Sequence, residues 1–242
     1  MRHRHVLVFS SLAFCALAVR AANAPPAAAP AVAPKPSVPP PALPGLGSPK
    51  LKSLFDGKTL AGWDHDPAVW TVVDGAMHAT GKYGGAFTQT DFGDFRLIVT
   101  SRVVTPDGNP GANHLGILFW GDHPEPGQWN MAGALQVQPP HGSMWDYRTN
   151  KNVANGTLTR VVPKPAHSYR DWHVCEILAR LATGELRVAV DGVEITRYKH
   201  GEPSVLKRGP IGLQLHAAKA EMEYKDIRIE PEPAEDWLIT VK

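Results

Sequence analysis

The chain is poor in cysteine: Cys15 and Cys175 are its two thiols. With so few, no disulfide framework can brace the fold, and paired-cysteine metal motifs are excluded. Charge of one sign is missing too. The formal net charge is +2, with lysines and arginines scattered, which removes the electrostatic case for nucleic acid or an anionic membrane surface as a partner. The apolar run Val6–Val19 is about 14 residues, short of the roughly 20 that a membrane-crossing helix needs. No segment sustains a 3.6-residue period, and no fixed-length repeat is present. Common catalytic signatures are also absent. Gly57-Lys58-Thr59 lacks the glycine that opens a phosphate loop, and there is no Gly-x-Ser-x-Gly elbow or HExxH pair.

What the chain does have is ordered from its first residues. Arg2 and Arg4 precede the apolar run, and small residues follow it. This is the layout of an export signal, expected over residues 1–21 with cleavage after Ala21; cleavage after Ala24 and an uncleaved N-terminal anchor are the alternatives. An exported protein, periplasmic or extracellular, is the expectation, with no membrane span in the mature chain. Residues 22–49 are dominated by alanine and proline, lack the bulk for a core, and read as an extended tether. Beyond them Cys175 is the single thiol. In the strand-like Trp172–Leu178 it reads as a buried, inert side chain.

From about Lys50 to Pro231 the pattern is β throughout. Val69–Val73, the turn Asp74-Gly75 and Ala76–Thr80 predict a hairpin; Leu186–Val190, Asp191-Gly192 and Val193–Thr196 predict another. In Gly209–His216, Ile211, Leu213 and Leu215 share one parity while Gly212, Gln214 and His216 share the other. Met222 and Tyr224 differ in parity from Ile227 and Ile229, which predicts a bulge near Lys225. Residues 139–168 carry little alternation and read as a long functional loop. Residues 232–242 form a tail that either packs back on the domain or meets a partner. Many short strands with Gly/Pro/Asp turns predict an all-β sandwich or jelly roll.

Several of these landmarks fall in a known order. Leu54–Trp63, Trp70–Gly75, Phe92–Leu97, Asn113–Phe119, Trp172-His173, Asp191-Gly192, Gly209–His216 and Tyr224–Ile229 together resemble the 3-keto-disaccharide hydrolase domain family. The resemblance covers residues 50–231. It implies a concanavalin-like β-sandwich of two antiparallel sheets, an exported bacterial protein, and action on sugars oxidised to a ketone at C3. The chain departs from the family pattern in places: Ala134 stands where the family's Glu-x-Gln motif places glutamate, and Asn113-His114-Leu115-Gly116 stands for the usual asparagine-serine-glycine run. Trp120 stands in place of the arginine that usually follows the preceding strand.

Strand parity proposes a site independently. With Ile117, Phe119, Leu135, Val137, Ile211, Leu213 and Leu215 facing the core, Trp120, Gln136, Gln138, Gln214 and His216 face the other way and would line a concave outer surface. A tryptophan covers the apolar face of a pyranose, and amides bond hydroxyls as donors and acceptors. Asn113, His114, Trp145 and Tyr147 are further candidates for binding carbohydrate. For a 3-keto sugar, one base could remove the acidified C2 proton and expel the C1 substituent. His216 is the expected base, with His141 and Asp146 as alternatives, while His114 could polarise the ketone. The expected activity is hydrolysis of 3-keto-glycosides; the second reading is a non-catalytic, lectin-like module using the same surface. No cofactor is expected. A divalent ion stays open, since Asp122, His123, His141 and Asp146 match no standard ligand spacing.

Overall fold

The computed structural model describes residues 38–105, 115–125, 131–155, 168–217 and 220–242. Its strands are β1 (Lys52–Ser53), β2 (Trp63–His65), β3 (Trp70–Val73), β4 (Ala76–Thr80), β5 (Gly84–Thr88), β6 (Phe95–Val103), β7 (Gly116–Phe119), β8 (Leu135–Gln138), β9 (Ser143–Asp146), β10 (Lys151–Asn155), β11 (His173–Arg180), β12 (Glu185–Val190), β13 (Val193–Lys199), β14 (Gly212–Leu215) and β15 (Glu221–Pro231). Among the described residues, helix is confined to the 3-10 turn Pro203–Val205.

The strands form two antiparallel sheets. The first runs β13-β12-β11-β6-β15-β4-β3 with β1 also on β15, and the second runs β10-β9-β8-β7-β14-β5-β2. Both predicted hairpins are present, as β3–β4 and β12–β13. Asp74 and Asp191 turn at φ 48° and 52°, a left-handed conformation that aspartate tolerates ahead of glycine. The bulge expected near Lys225 is there too. The β15–β6 register shifts between Lys225 and Arg228, where Asp226 has φ 49°. Before it β15 pairs with β4, and after it with β1, so one strand serves two neighbours on the same side.

The core lies between the sheets, where period-two alternation sends every second residue inward. Ile117, Phe119, Leu135, Val137, Ile211, Leu213 and Leu215 are all in it, as their parity requires. Phe95 of the first sheet meets Phe119 of the second edge to face at 5.4 Å; such a pair is worth about 0.5–1.5 kcal/mol beyond the area it buries. Tyr224 crosses the same core from β15. Its hydroxyl donates to the Gln214 carbonyl at 2.8 Å and accepts from the Gly116 amide at 3.4 Å. Burial pushes the Tyr224 hydroxyl well above its usual pKa, leaving it a neutral donor. Cys175 is also buried, and burial likewise raises its thiol, which makes it inert near neutrality.

Two chain ends cover the outer face of the first sheet. Residues 38–49, read from sequence as the end of the tether, lie against it: Val38 bonds Asp171 and Trp172, and Arg228 donates to the Leu46 carbonyl at 2.6 Å. The tail returns beside them. Buried Glu176 accepts Ile239 N, Thr240 N and Thr240 Oγ1 at 2.9, 2.9 and 2.6 Å. Buried Arg96 pairs with Glu176 and Glu230 and donates to the Trp237 carbonyl, while Leu238 packs on Leu178 and Ala189. Charges this deep persist because they are paired with one another and hydrogen-bonded to the returning tail.

The segment 139–168 differs from the loop expected of it. Residues 143–155 make the β9–β10 hairpin at the edge of the second sheet, with an irregular step between Asn152 and Ala154. That bulge breaks the alternation on which a sequence pattern relies.

Candidate functional site

The outer face of the second sheet carries the amide row. β14, β7, β8 and β9 are consecutive neighbours, so residues far apart in sequence stand side by side. Gln136 Nε2 donates to Gln214 Oε1 at 2.5 Å, Gln138 Nε2 to Gln136 Oε1 at 3.1 Å, and Gln214 Nε2 to the Tyr147 hydroxyl at 3.1 Å. Gly116 forms the floor: a Cβ there would stand 2.3 Å from Gln136 Nε2 and 2.7 Å from Gln214 Oε1. Gln136 and Gln214 are buried, however, and Gln138, Trp145 and Tyr147 half-buried. Gln136 and Gln214 therefore use their polar groups on their neighbours. They brace the face, and they do not line an open surface as the sequence suggested.

Beside the amides lies an apolar patch of Phe87, Leu118, Met131 and Ala134, with Tyr147 against it. Ala134, the position at which the resemblance implies a glutamate, is thus buried within this apolar patch. An unpaired carboxylate there would be strongly disfavoured.

Two expectations are corrected. Trp120 is not on the outer face: it is buried in the core between Phe95 and Phe119, with Nε1 donating to the Gly93 carbonyl at 2.7 Å. Its φ of 60° ends β7 and breaks the alternation that assigned it outward. Asp146 is opposite in parity to Trp145 and Tyr147 and is buried, accepting from Arg148 N at 2.8 Å and lying 3.4 Å from His200 Nε2. It is a structural carboxylate paired with Arg148 and His200 on the inward side of the strand. His141 sits in the β8–β9 turn with Nδ1 3.0 Å from Ser143 Oγ and its ring against Tyr169. Asn113 and His114 lie outside the described residues. Among the described residues no cluster of three or more His, Cys, Asp or Glu is placed to hold a metal ion. Asp122 pairs with Lys207, and His123 with Asp91.

His216 follows β14 directly, at half-burial. Its ring meets Tyr83 edge to face, centroids 6.4 Å apart. Burial lowers the basicity of the imidazole below its usual value, which keeps it neutral and able to accept a proton near neutrality. Tyr83 belongs in turn to the wall of a cavity of about 690 Å³, lined also by Asp64, His65, Gly85, Phe87 and Glu125 among others. Small-molecule sites span roughly 300–1,000 Å³. The sequence reading passed over these residues. The available signal was Tyr83-Gly84-Gly85-Ala86-Phe87, where glycines inside a strand mark a close approach. Phe87 supplies it: a Cβ on Gly85 would lie 2.2 Å from the Phe87 ring, and one on Gly212 2.8 Å.

Comparison with known proteins adds to this geometry. Residues 50–230 match the profile of the 3-keto-alpha-glucoside-1,2-lyase-like domain. No curated protein sequence matches the chain. Solved structures share the fold at low identity. A candidate glycosyl hydrolase from Parabacteroides distasonis is 16% identical with a TM-score of 0.54, over 76% of this chain and 94% of that one. The carbohydrate binding module CBM66 from Bacillus subtilis is 14% identical with a TM-score of 0.52, over 70% and 95%. The exoplasmic/lumenal domain of VIP36, in its Ca2+/Man-bound form, is 11% identical with a TM-score of 0.51, over 78% and 95%. These likenesses establish the sandwich architecture.

Proposed function

The chain belongs to the 3-keto-alpha-glucoside-1,2-lyase-like domain family, and from that membership we propose that it acts on carbohydrate, cleaving the C1 bond of glycosides already oxidised to a ketone at C3. We propose also that it works outside the cytoplasm, on the strength of the Arg2–Ala21 signal pattern.

The chemistry needs one well-placed base. The C3 ketone acidifies the C2 proton. A base takes that proton, the C2 electron pair forms the C1–C2 double bond, and the C1–O bond breaks to release the substituent, which leaves as an alcohol carrying the proton that the base had taken, so that the base is regenerated. Water then adds across the double bond, its hydroxyl to C1 and a proton to C2, so that the sum is hydrolysis. Two opposed carboxylates, which ordinary glycosidases require, have no part in this route. The observation that carries the reading is His216: half-buried, lowered in basicity, and beside Tyr83 at the wall of the cavity. A neutral imidazole near pH 7 suits general-base work, typically worth about 10²–10⁴ in rate. We propose, from the sequence alone, His114 as the group that polarises the ketone.

The apolar enclosure of Ala134 favours a second reading, a non-catalytic module that holds sugar at the same place. CBM66 and the mannose-bound VIP36 domain lend that reading support, since both share this fold. Incubating the purified protein with a 3-keto-disaccharide and with its unoxidised parent separates the two. Product from the oxidised sugar alone supports the enzyme. Binding of either sugar with no product supports the module.

A further inference from the structure

We propose that the Tyr147 hydroxyl is a catalytic hydrogen-bond donor, which holds the C3 oxygen of the substrate while negative charge gathers on it. The proposal rests on the 3-keto-glycoside reading of the His216 site and adds a residue to its chemistry. A carbonyl oxygen has two lone pairs, so a donor here stands beside the group proposed above and does not replace it.

The amide row runs in one direction. Gln138 Nε2 donates to Gln136 Oε1, Gln136 Nε2 to Gln214 Oε1, and Gln214 Nε2 to Tyr147 Oη. The row therefore ends on a hydroxyl that accepts. A phenol carries a proton as well as lone pairs, and among the described residues nothing accepts the proton of Tyr147. Bonds in such a chain polarise one another, so an oxygen that already accepts becomes a stronger donor.

The ring of Tyr147 is committed elsewhere. It packs on the patch of Phe87, Leu118, Met131 and Ala134, and Tyr147 N donates to the Ala134 carbonyl at 2.9 Å. What remains for a ligand is the hydroxyl. Burial, the larger effect, pushes that hydroxyl above its usual pKa, against the bond from Gln214, which lowers it. Tyr147 thus stays protonated wherever His216 is a neutral base.

Gln214 sets the two groups side by side. It holds the Tyr147 hydroxyl, and His216 follows it two residues on with the same parity, about 7 Å along the chain. The adjacent C2 and C3 of one sugar ring fit that interval, with the C2 hydrogen at the imidazole and the C3 oxygen at the phenol. As the base takes the C2 proton, the electron pair moves onto the C3 oxygen and the bond from Tyr147 strengthens. As the C1–O bond breaks, the pair returns and the C3 carbonyl is restored. Tyr147 keeps its proton throughout. A donor aimed at charge that develops only during reaction speeds the chemical step more than it aids binding.

The test begins with Tyr147→Phe, which keeps the ring and its packing. On a 3-keto-disaccharide its kcat should fall by about 10²–10³, with KM little changed. Placing 3-fluorotyrosine at position 147, a more acidic phenol, should restore most of the turnover and move the alkaline limb of kcat/KM to lower pH. Unimpaired kcat in Tyr147→Phe, a loss confined to KM, or an alkaline limb that stays in place would overturn the donor and leave Tyr147 as a brace for Gln214. If the wild-type protein turns over no 3-keto-disaccharide, the reaction assignment fails and calorimetric titration with that sugar decides the donor alone. Affinity weaker by about fivefold or more in Tyr147→Phe supports it; equal affinity, or no binding to the wild type, overturns it.

Discussion

Gln136 and Gln214 meet over the bare backbone of Gly116, joined by a 2.5 Å hydrogen bond with both side chains shielded from water. Three strands are tied at that point, and Tyr224 locks it from beneath by bonding both Gly116 and Gln214. Gly116→Ala must therefore push two paired amides apart. The expected cost is about 1–3 kcal/mol, as for other overpacked cores. For a chain of this size that lowers Tm by roughly 2–4 °C per kcal/mol. Thermal unfolding measures it, and an unchanged Tm would show that the amide row yields freely.

The tail makes a second prediction. Deleting residues 237–242 strips buried Glu176 of three donors from Ile239 and Thr240 and uncovers Leu178 and Ala189. Glu176 keeps its ion pair with Arg96, so the cost is that of the lost hydrogen bonds to a charged group, about 1.5–3 kcal/mol, together with the exposed apolar surface. The urea midpoint of the truncated protein should fall accordingly. An unaltered midpoint would mean that the tail is decoration.

A third prediction concerns pH. His173 Nδ1 lies 2.8 Å from Asp191 Oδ2, and Nε2 lies 2.8 Å from the Ser168 carbonyl. Both partners are acceptors, so both ring nitrogens carry protons. Burial alone would lower this histidine, but the bonds to Asp191 and Ser168 outweigh it and leave the pKa raised from 6.5. A raised folded value gives stability that is full below the unfolded pKa and is lost as pH rises through the folded one. The stability gap between wild type and His173→Gln should be widest in mild acid and narrow into the alkaline range. Denaturant unfolding across that range checks this; a gap independent of pH would contradict it.

These elements were unequally legible in the sequence. Leu213 and Leu215 inward with Gln214 outward could be read directly, because an antiparallel strand keeps its period of two. The Lys225 bulge could be read because two parities conflicted around it. Trp120 could not, since one left-handed residue at the end of β7 reverses its direction without any local compositional mark. The cavity was equally hidden. Its wall joins β2, β5 and residues 123–125, and only the packing of the sheet brings these together. Burial of Gln136 and Gln214 was hidden for a similar reason: parity gives a direction and says nothing of what covers it.

The most direct test of the account is the turnover of a 3-keto-disaccharide by His216→Ala beside the wild type, followed against pH. Burial lowers the His216 pKa below 6.5, and the working form is the unprotonated one. The wild-type kcat/KM should therefore rise with pH through a value below 6.5 and level off by neutrality. Loss of the base should cut turnover by about 10²–10⁴ and remove that acid limb, with Tm little changed. Unimpaired turnover by His216→Ala, or an acid limb that survives the substitution, would contradict the assignment of His216 as the base.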